Sequence, residues 1–191
     1  MKFAWIFFGI LICMESACSK PKTPPTELLR PATIKDIMDS MVDPSGDFMF
    51  ESVQQIADEK GVREKAPHTP KEWDEVRQHV FVLLEAPNLL VMEGRKVAQP
   101  GEKAENPNVE LQPEEIQKKV DSDRPAFIRR ARRLQDAAAL ALKAVEARDV
   151  DGLFAANDKI DKACENCHLH YWYPNDKRAQ EAAKEEGIVD E

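Results

Sequence analysis

Residues 163–174, "ACENCHLHYWYP", combine two cysteines and a histidine in the pattern C-x-x-C-H. If this segment is helical, Cys164, Cys167 and His168 project from a single turn, because positions i, i+3 and i+4 share one face. Two thiols on that face can add to the vinyl groups of a porphyrin, and the adjacent imidazole can reach the iron from the same side. The motif therefore predicts one covalent haem c, with Cys164 and Cys167 as its thioether attachments and His168 as proximal iron ligand.

Two other kinds of site use the same residue types. A structural zinc site takes four ligands, usually two close pairs from different segments, and the only other cysteines of this chain are Cys13 and Cys18. A redox-active dithiol usually lies at a helix N-terminus, where the helix dipole lowers the thiol pKa, whereas this pair comes late in a helical pattern. A haem-free structural zinc protein and a dithiol site stay as alternatives to haem.

The elements that must position the motif have helical periodicity from Thr33 onwards. The first pattern places Ile34, Ile37, Met38 and Met41 on one face before "DPSGD" (43–47) interrupts it. A resumed helix, with Val53, Ile56 and Ala57 pointing inward, is expected to end before Gly61. The first element is therefore predicted as one long helix kinked near Pro44 or as two abutting helices.

Three further helices follow in the sequence. The second helix begins at a Thr69 cap, and Pro87 should kink or end it. The third helix covers about 125–148. The fourth helix follows "RDVDG" (148–152) and contains the motif. Their predicted inward positions are Trp73, Val76, Val80, Leu83, Leu84, Phe127, Ala131, Leu134, Ala138, Ala141, Leu142, Val145, Leu153, Ala156, Ile160 and Ala163. Residues 94–112 are predicted as a long surface loop, followed by a short helix at "PEEIQKKV" (113–120). Four amphipathic helices without strand alternation predict an all-α, antiparallel four-helix bundle.

The N-terminal residues predict an exported protein. An apolar run from Phe3 to Met14 is too short to span a bilayer and has the form of a signal-peptide core, so residues 1–17 are interpreted as an export signal of lipoprotein type. Cys18 would then become the lipid anchor to a membrane, whereas ordinary cleavage would release a soluble periplasmic protein. Residues 18–31 are a Pro-rich tether, 32–174 the four-helix domain and 175–191 a polar, mobile tail.

Composition and charge narrow the class of function. A net charge of −8 argues against a nucleic-acid partner, because phosphate binding requires a basic surface. The basic run "RRARR" (129–133) is interpreted as the solvated face of a helix. Since no acid–base pair, nucleophile constellation or phosphate loop is visible, the chain is not expected to be an enzyme by itself.

Three segments resemble the cytochrome c-prime family, in particular its membrane-associated relatives: "IKDIM" (34–38), "LLEAPNLL" (83–90) and "CENCHLHYWYP" (164–174). The resemblance covers about residues 33–174. In that family the sixth iron position is either blocked by an apolar side chain, giving five-coordinate iron that takes up nitric oxide or carbon monoxide, or filled by a methionine of the first helix. The family's ligand position falls on Met38, with Met41 on the same face as the alternative.

The resemblance implies a monohaem c-type cytochrome that carries single electrons in the bacterial cell envelope. Methionine ligation raises the reduction potential, which suits a one-electron carrier. A five-coordinate gas-binding module of the same fold is the alternative. Electron transfer implies a redox partner protein. Because members of the family often dimerise through their first two helices, the resemblance also implies a homodimer as one assembly of this chain.

Overall fold

The computed structural model describes residues 28–59 and 61–188, which are mostly helical and include one small two-stranded sheet. In chain order the elements are α1 (Ile34–Ile37), a π-helical turn (Met38–Val42), α2 (Asp43–Ser52), β1 (Gln54–Asp58), β2 (Gly61–Lys65), α3 (Pro70–Leu90), α4 (Pro113–Ser122), α5 (Arg124–Ala147), α6 (Val150–Tyr171) and α7 (Lys177–Glu185). The predicted export signal, Cys18 and the tether up to residue 27 lie outside the described residues. Because of the sheet, the all-α prediction is wrong in one respect.

Helices α1 and α2 form one continuous helical run through the π-turn, so "DPSGD" lies inside a helix rather than between two. Thr33 starts this run as an N-cap: its hydroxyl accepts the backbone N–H of Asp36 at 3.1 Å, and the Asp36 carboxylate accepts the N–H of Thr33 at 2.8 Å. The predicted irregularity near Pro44 takes the form of a wider turn immediately before the proline.

The residues after α2 form a β-hairpin, so the predicted continuation of the first helix to Gly61 is wrong. Strands β1 and β2 pair antiparallel from Gln54 opposite Lys65 to Asp58 opposite Gly61. Gly61 has φ of +116°, a conformation that suits glycine at a tight reversal. The helical spacing of Val53, Ile56 and Ala57 does not continue beyond Ala57, and every residue of β2 is exposed. Without an apolar face to bury, a helix here would gain little from packing.

Helix α3 begins at the predicted Thr69 cap, and its predicted inward residues Trp73, Val76, Val80 and Leu83 are buried. It continues to Leu90, so Pro87 does not end it. Pro87 lies in the last turn of the helix and is itself buried. The ring of His79 stacks on Phe48 of α2 with centroids 4.0 Å apart, and its Nδ1 lies 3.2 Å from the hydroxyl of Ser45. These contacts hold α2 against α3, and the burial lowers the pKa of His79.

The connection after α3 is partly buried, which corrects the prediction of a surface loop over 94–112. Arg95 is 6% exposed and Val97 is 1% exposed. The Arg95 guanidinium donates to the carbonyls of Leu89 and Ala32 and contacts the sulfur of Met92. This loop therefore ties the end of α3 to the residues that lead into α1. The short helix predicted at 113–120 is confirmed as α4.

Helices α5 and α6 are the longest packed pair, and their predicted inward residues are confirmed as buried, apart from Leu142, which is half-buried. Arg148, with φ of +52°, ends α5 in the left-handed conformation. Asp149 then caps α6 by accepting the N–H of Gly152 at 3.0 Å. This tight reversal makes α5 and α6 antiparallel neighbours, and α5 also packs along α3.

The predicted polar tail is helical in part. Asp176 accepts the backbone N–H groups of Arg178 and Ala179, both at 3.0 Å, and so caps α7. Helix α7 packs against α6 and buries Ala183. Charged and small residues are mixed in this segment, so its composition does not predict the apolar contact at Ala183. Within residues 28–59 and 61–188, no helix combines the length and apolar character needed to cross a membrane.

Candidate functional site

Helix α6 presents the C-x-x-C-H motif near its C-terminal end. Cys164 and Cys167 are free thiols, half-buried and packed against the core, and His168 follows on the same face. The helix continues for three residues beyond His168 and ends at Tyr171. The structure therefore brings the three predicted attachment residues together within one helical turn.

The two residues between the cysteines hold this turn in place. Glu165 accepts a hydrogen bond from the hydroxyl of Tyr173 at 2.7 Å. Asn166 is 4% exposed, and its carbonyl oxygen accepts from the Arg133 guanidinium of α5 at 3.0 Å. Bonds to charged donors of this kind are stronger than neutral ones. The motif is thus fixed both to the neighbouring helix and to the chain that follows it.

The chain after α6 folds back over His168. The carbonyl of His168 accepts the N–H groups of Trp172 and Tyr173 at 2.7 and 3.0 Å. The ring of Tyr173 lies tilted against the imidazole, with centroids 5.7 Å apart. The carbonyl of Trp172 accepts the N–H of Leu111 at 2.8 Å, which joins this segment to the loop before α4.

An apolar cleft opens beside the motif. Its inner part, of about 40 Å³, is lined by Ile34, Met38, Ile116, Val120, Phe127, Cys167, His168, Tyr171 and Trp172. These residues come from α1, the π-turn, α4, α5 and α6 and from the residue that follows α6. Only His168 contributes a basic nitrogen to this inner surface. The cleft therefore offers a single imidazole in apolar surroundings.

The outer part of the cleft has a volume of about 210 Å³ and a charged rim. It is lined by Lys35, Met38, Asp39, Asp43, Glu105, Glu110, His168, Trp172 and Tyr173. Met38, His168 and Trp172 line both parts. Met41 lines neither part and packs half-buried against the core. Helical spacing alone placed both methionines on one face, and the family resemblance favoured Met38; in the structure, Met38 lines the same cleft as His168.

Burial sets the protonation states at the motif. It raises the pKa of the Cys164 thiol to about 12 and that of Cys167 to about 11, the latter opposed by the charge of Arg130. It lowers the pKa of His168, against the opposing charges of Asp43 and Glu165. At neutral pH the imidazole is therefore uncharged, which is the form that binds metals. Reactive dithiols have lowered thiol pKa values, so these cysteines have the opposite character.

Arg130 is buried rather than solvated, contrary to the interpretation of "RRARR" as an exposed face. It is 4% exposed, and its guanidinium lies 3.2 Å from Nδ1 of His170 and 5.7 Å from the centre of the Tyr171 ring. Tyr171 packs edge-on against Phe127 with centroids 5.5 Å apart. His170 is half-buried through these contacts. Sequence reasoning also missed Asp43 and Tyr173, whose proximity to His168 depends on the fold.

Two larger cavities lie on another side of α6. One, of about 480 Å³, is bordered by α5, α6 and Ile188, and the other, of about 420 Å³, separates α6 from α7. Asn166 lines both, but neither is lined by Cys164, Cys167 or His168. In the part of the chain that the structure describes, no three side chains of the His, Cys, Asp and Glu types are grouped to hold a metal ion.

Comparisons with known proteins identify no relative of this chain. No protein-family model, curated protein or solved structure matches the chain.

Proposed function

We propose that this chain is a monohaem c-type cytochrome that transfers single electrons and is not an enzyme by itself. One observation carries the proposal: Cys164, Cys167 and His168 share a turn of α6, and His168 and Met38 line the same apolar cleft. The two thiols would hold the haem as thioethers, and the imidazole of His168 would bind its iron. Haem ligated by histidine and methionine supplies a one-electron couple at raised potential.

The chemical types of the residues that line the cleft are suited to haem. The Cys167 thiol lines an apolar surface, the imidazole is neutral, and Trp172 and Phe127 would shield the macrocycle from water. Cavities of 40 and 210 Å³ are smaller than ordinary small-molecule pockets of about 300–1,000 Å³. Haem would therefore displace side chains at the mouth of the cleft, where Lys35 and the acidic rim are half-buried or exposed.

Met38 is proposed as the second axial ligand, with Met41 as the alternative. The lining of the cleft favours Met38, because Met41 packs elsewhere against the core. A thioether in this position is a soft ligand that favours the reduced iron. If neither methionine binds the iron, the chain is instead the five-coordinate gas-binding module of the same fold.

The fold is proposed to be an antiparallel four-helix bundle of the cytochrome c-prime type. Four long helical segments support this: the α1–α2 run, α3, α5 and α6. Helix α5 packs on α3 and α6, and α2 packs on α3 and α6, so neighbouring helices enclose a shared core. Residues 32–174 form the haem domain in this proposal, with the hairpin as an addition to the bundle.

We propose that the chain is exported and anchored to a membrane of the cell envelope through a lipidated Cys18. The support is the sequence alone, since residues 1–17 and Cys18 lie outside the described residues. Labelling with a radioactive or clickable fatty acid should mark the wild-type chain, and Cys18→Ser should lose the label and leave the membrane fraction. A labelled Cys18→Ser chain, or an unlabelled wild type with another N-terminus, would reject the anchor.

The test of the cofactor is extraction with acid acetone followed by intact-mass analysis. Haem should stay on the polypeptide and add the mass of one haem to the processed chain. Cys164→Ser combined with Cys167→Ser should release it. A colourless preparation that binds zinc instead would reject the cytochrome and favour the zinc alternative.

The test of the second ligand compares Met38→Ala with Met41→Ala. The oxidised wild type should be low-spin and show the weak far-red band of methionine–iron charge transfer. Met38→Ala should remove that band, lower the reduction potential and open the iron to carbon monoxide. Met41→Ala should keep the band. The reverse pattern would assign the ligand to Met41, and high-spin iron in the wild type would favour the gas-binding module.

A further inference from the structure

The π-helical turn between α1 and α2 begins at Met38. In this turn the N–H of Asp43 donates to the carbonyl of Met38, five residues earlier, whereas an α-helix pairs residues four apart. Such turns are rare, occur mostly as single-turn insertions in α-helices, and are frequent at functional sites. The wider spacing thus begins at the methionine that lines the cleft together with His168.

Pro44 accounts for the position of this turn. It has no N–H to donate to the carbonyl of Ser40, and its ring would clash with that carbonyl in a regular α-helix. A wider turn immediately before Pro44 relieves this conflict. The hydroxyl of Ser40 donates to the carbonyl of Asp36, an arrangement that often accompanies bent helices. Pro44 thus follows the turn, and the Ser40 hydrogen bond lies within it.

Contacts with other elements hold the helical run on both sides of the turn. Upstream, the N–H groups of Ile34 and Lys35 donate to carbonyls of the loop at 96–97, at 2.8 and 2.9 Å. Downstream, Met49 is fully buried, and its carbonyl accepts from the amide of Asn157 in α6 at 2.6 Å. Each residue of an α-helix turns the chain by about 100°. Replacing the wide turn by a regular α-helical turn would therefore rotate Met38 away from the cleft or Met49 out of the core.

We propose that Pro44, assisted by Ser40, is a positioning residue for Met38. By holding the π-turn at 38–42, it makes Met38 rather than Met41 the methionine that faces His168. The role in iron ligation rests on the function proposed above, but the placement of Met38 beside His168 does not. The inference can therefore be tested both with and without haem.

The test compares Pro44→Ala with Pro87→Ala, which removes the proline in the last turn of α3, away from the π-turn. In the full chain prepared without haem, NMR should detect coupling across the hydrogen bond from Asp43 to Met38. It should also detect a nuclear Overhauser contact between the Met38 methyl group and the His168 ring. Pro44→Ala should lose both signals, and Pro87→Ala should keep both. In the haem-loaded protein, Pro44→Ala should lose at least half of the far-red band and gain carbon monoxide binding.

Each remaining outcome has a defined meaning. The positioning role is overturned if Pro44→Ala keeps both NMR signals. It is also overturned if Pro44→Ala loses the coupling but keeps the contact with His168 and the far-red band. A wild type that binds no haem rejects the proposed function, and the NMR comparison still decides the inference. If Pro44→Ala does not fold, Ser40→Ala takes its place. It should reduce the Met38–His168 contact by at least half, and an unchanged contact overturns the proposal.

Discussion

Arg95 offers the sharpest test of the packing that holds the N-terminal end of the helical run. Its guanidinium donates to the carbonyl of Leu89 at the end of α3 and to the carbonyl of Ala32 before α1, and it is 6% exposed. Arg95→Ala would leave both carbonyls without a charged donor. Two hydrogen bonds to a charged group contribute about 3–6 kcal/mol. Because single substitutions rarely cost more than about 5 kcal/mol, we expect a loss of about 3–5 kcal/mol in the free energy of unfolding.

The measurement is urea unfolding followed by circular dichroism, together with thermal melting. For a chain of this size, each kcal/mol corresponds to about 2–4 °C, so the melting temperature should fall by roughly 6–20 °C. Arg95→Lys should recover part of the loss, because one ammonium group cannot reproduce the spread of guanidinium donors. Lys96→Ala is the matched control: its side chain is exposed, so the change should stay within about 0.5 kcal/mol.

The result that refutes this reasoning is equal stability of Arg95→Ala and Lys96→Ala. That outcome would mean that water already satisfies the two carbonyls and that Arg95 is not a buried link. A loss in Arg95→Lys as large as that in Arg95→Ala would instead show that the guanidinium geometry, rather than its charge, supplies the whole effect.

Three further predictions follow from local contacts. Gly46→Ala should stabilise the fold by about 0.5–1 kcal/mol, because alanine favours the helix more than glycine does and the added Cβ would make only an ordinary 3.6 Å contact. Gly152→Ala should destabilise the fold by about 0.5–2 kcal/mol, because its Cβ would lie 2.5 Å from the capping carboxylate of Asp149. Urea titration measures both, and equal signs would contradict the contacts. Burial holds the pKa of His79 below its ordinary 6.5, so the unfolded state binds more protons and stability falls as pH drops below 6.5. His79→Gln should reduce the dependence of the free energy of unfolding on pH, measured by urea titrations at several pH values. An unchanged pH dependence would contradict this prediction. Backbone N–H groups at the start of α3 hold the pKa of Glu72 below 4.5, so its contribution is present above that pH and is lost on acidification. Glu72→Gln should lower the melting temperature at neutral pH and not in strong acid, and a parallel loss at both would contradict it.

The long helices were predictable because their apolar residues repeat with one period over many turns. Phe127, Ala131 and Leu134 of α5 are spaced at helical intervals, and all three are buried. The hairpin was not predictable in this way, because residues 54–65 have no apolar face of either period. Burial of Arg95 was also hidden, since its partner carbonyl at Ala32 is 63 residues away along the chain.

For the candidate site, the local part could be predicted and the assembled part could not. The shared face of Cys164, Cys167 and His168 follows from their spacing and the helical period. A uniform helical repeat places Met38 and Met41 on one face and cannot represent the π-turn that contains both. The tilted contact of the Tyr173 ring with His168 depends on a reversal after α6 that is held by backbone hydrogen bonds. Fold-dependent contacts of this kind leave no spacing signal in the sequence.

The β-hairpin between α2 and α3 makes the chain suitable for the insertion of a reporter. Its strands pair mainly with each other, and β2 is exposed along its whole length. Lengthening such a connection costs only about 0.6 kcal/mol for each doubling of its length. The hairpin also begins just beyond Ser52, whereas Met38 lies near the other end of the same helical run, about 20 Å away at 1.5 Å per residue. A fluorescent peptide placed between Asp58 and Gly61 could therefore follow the molecule in a cell while leaving the cleft beside His168 accessible.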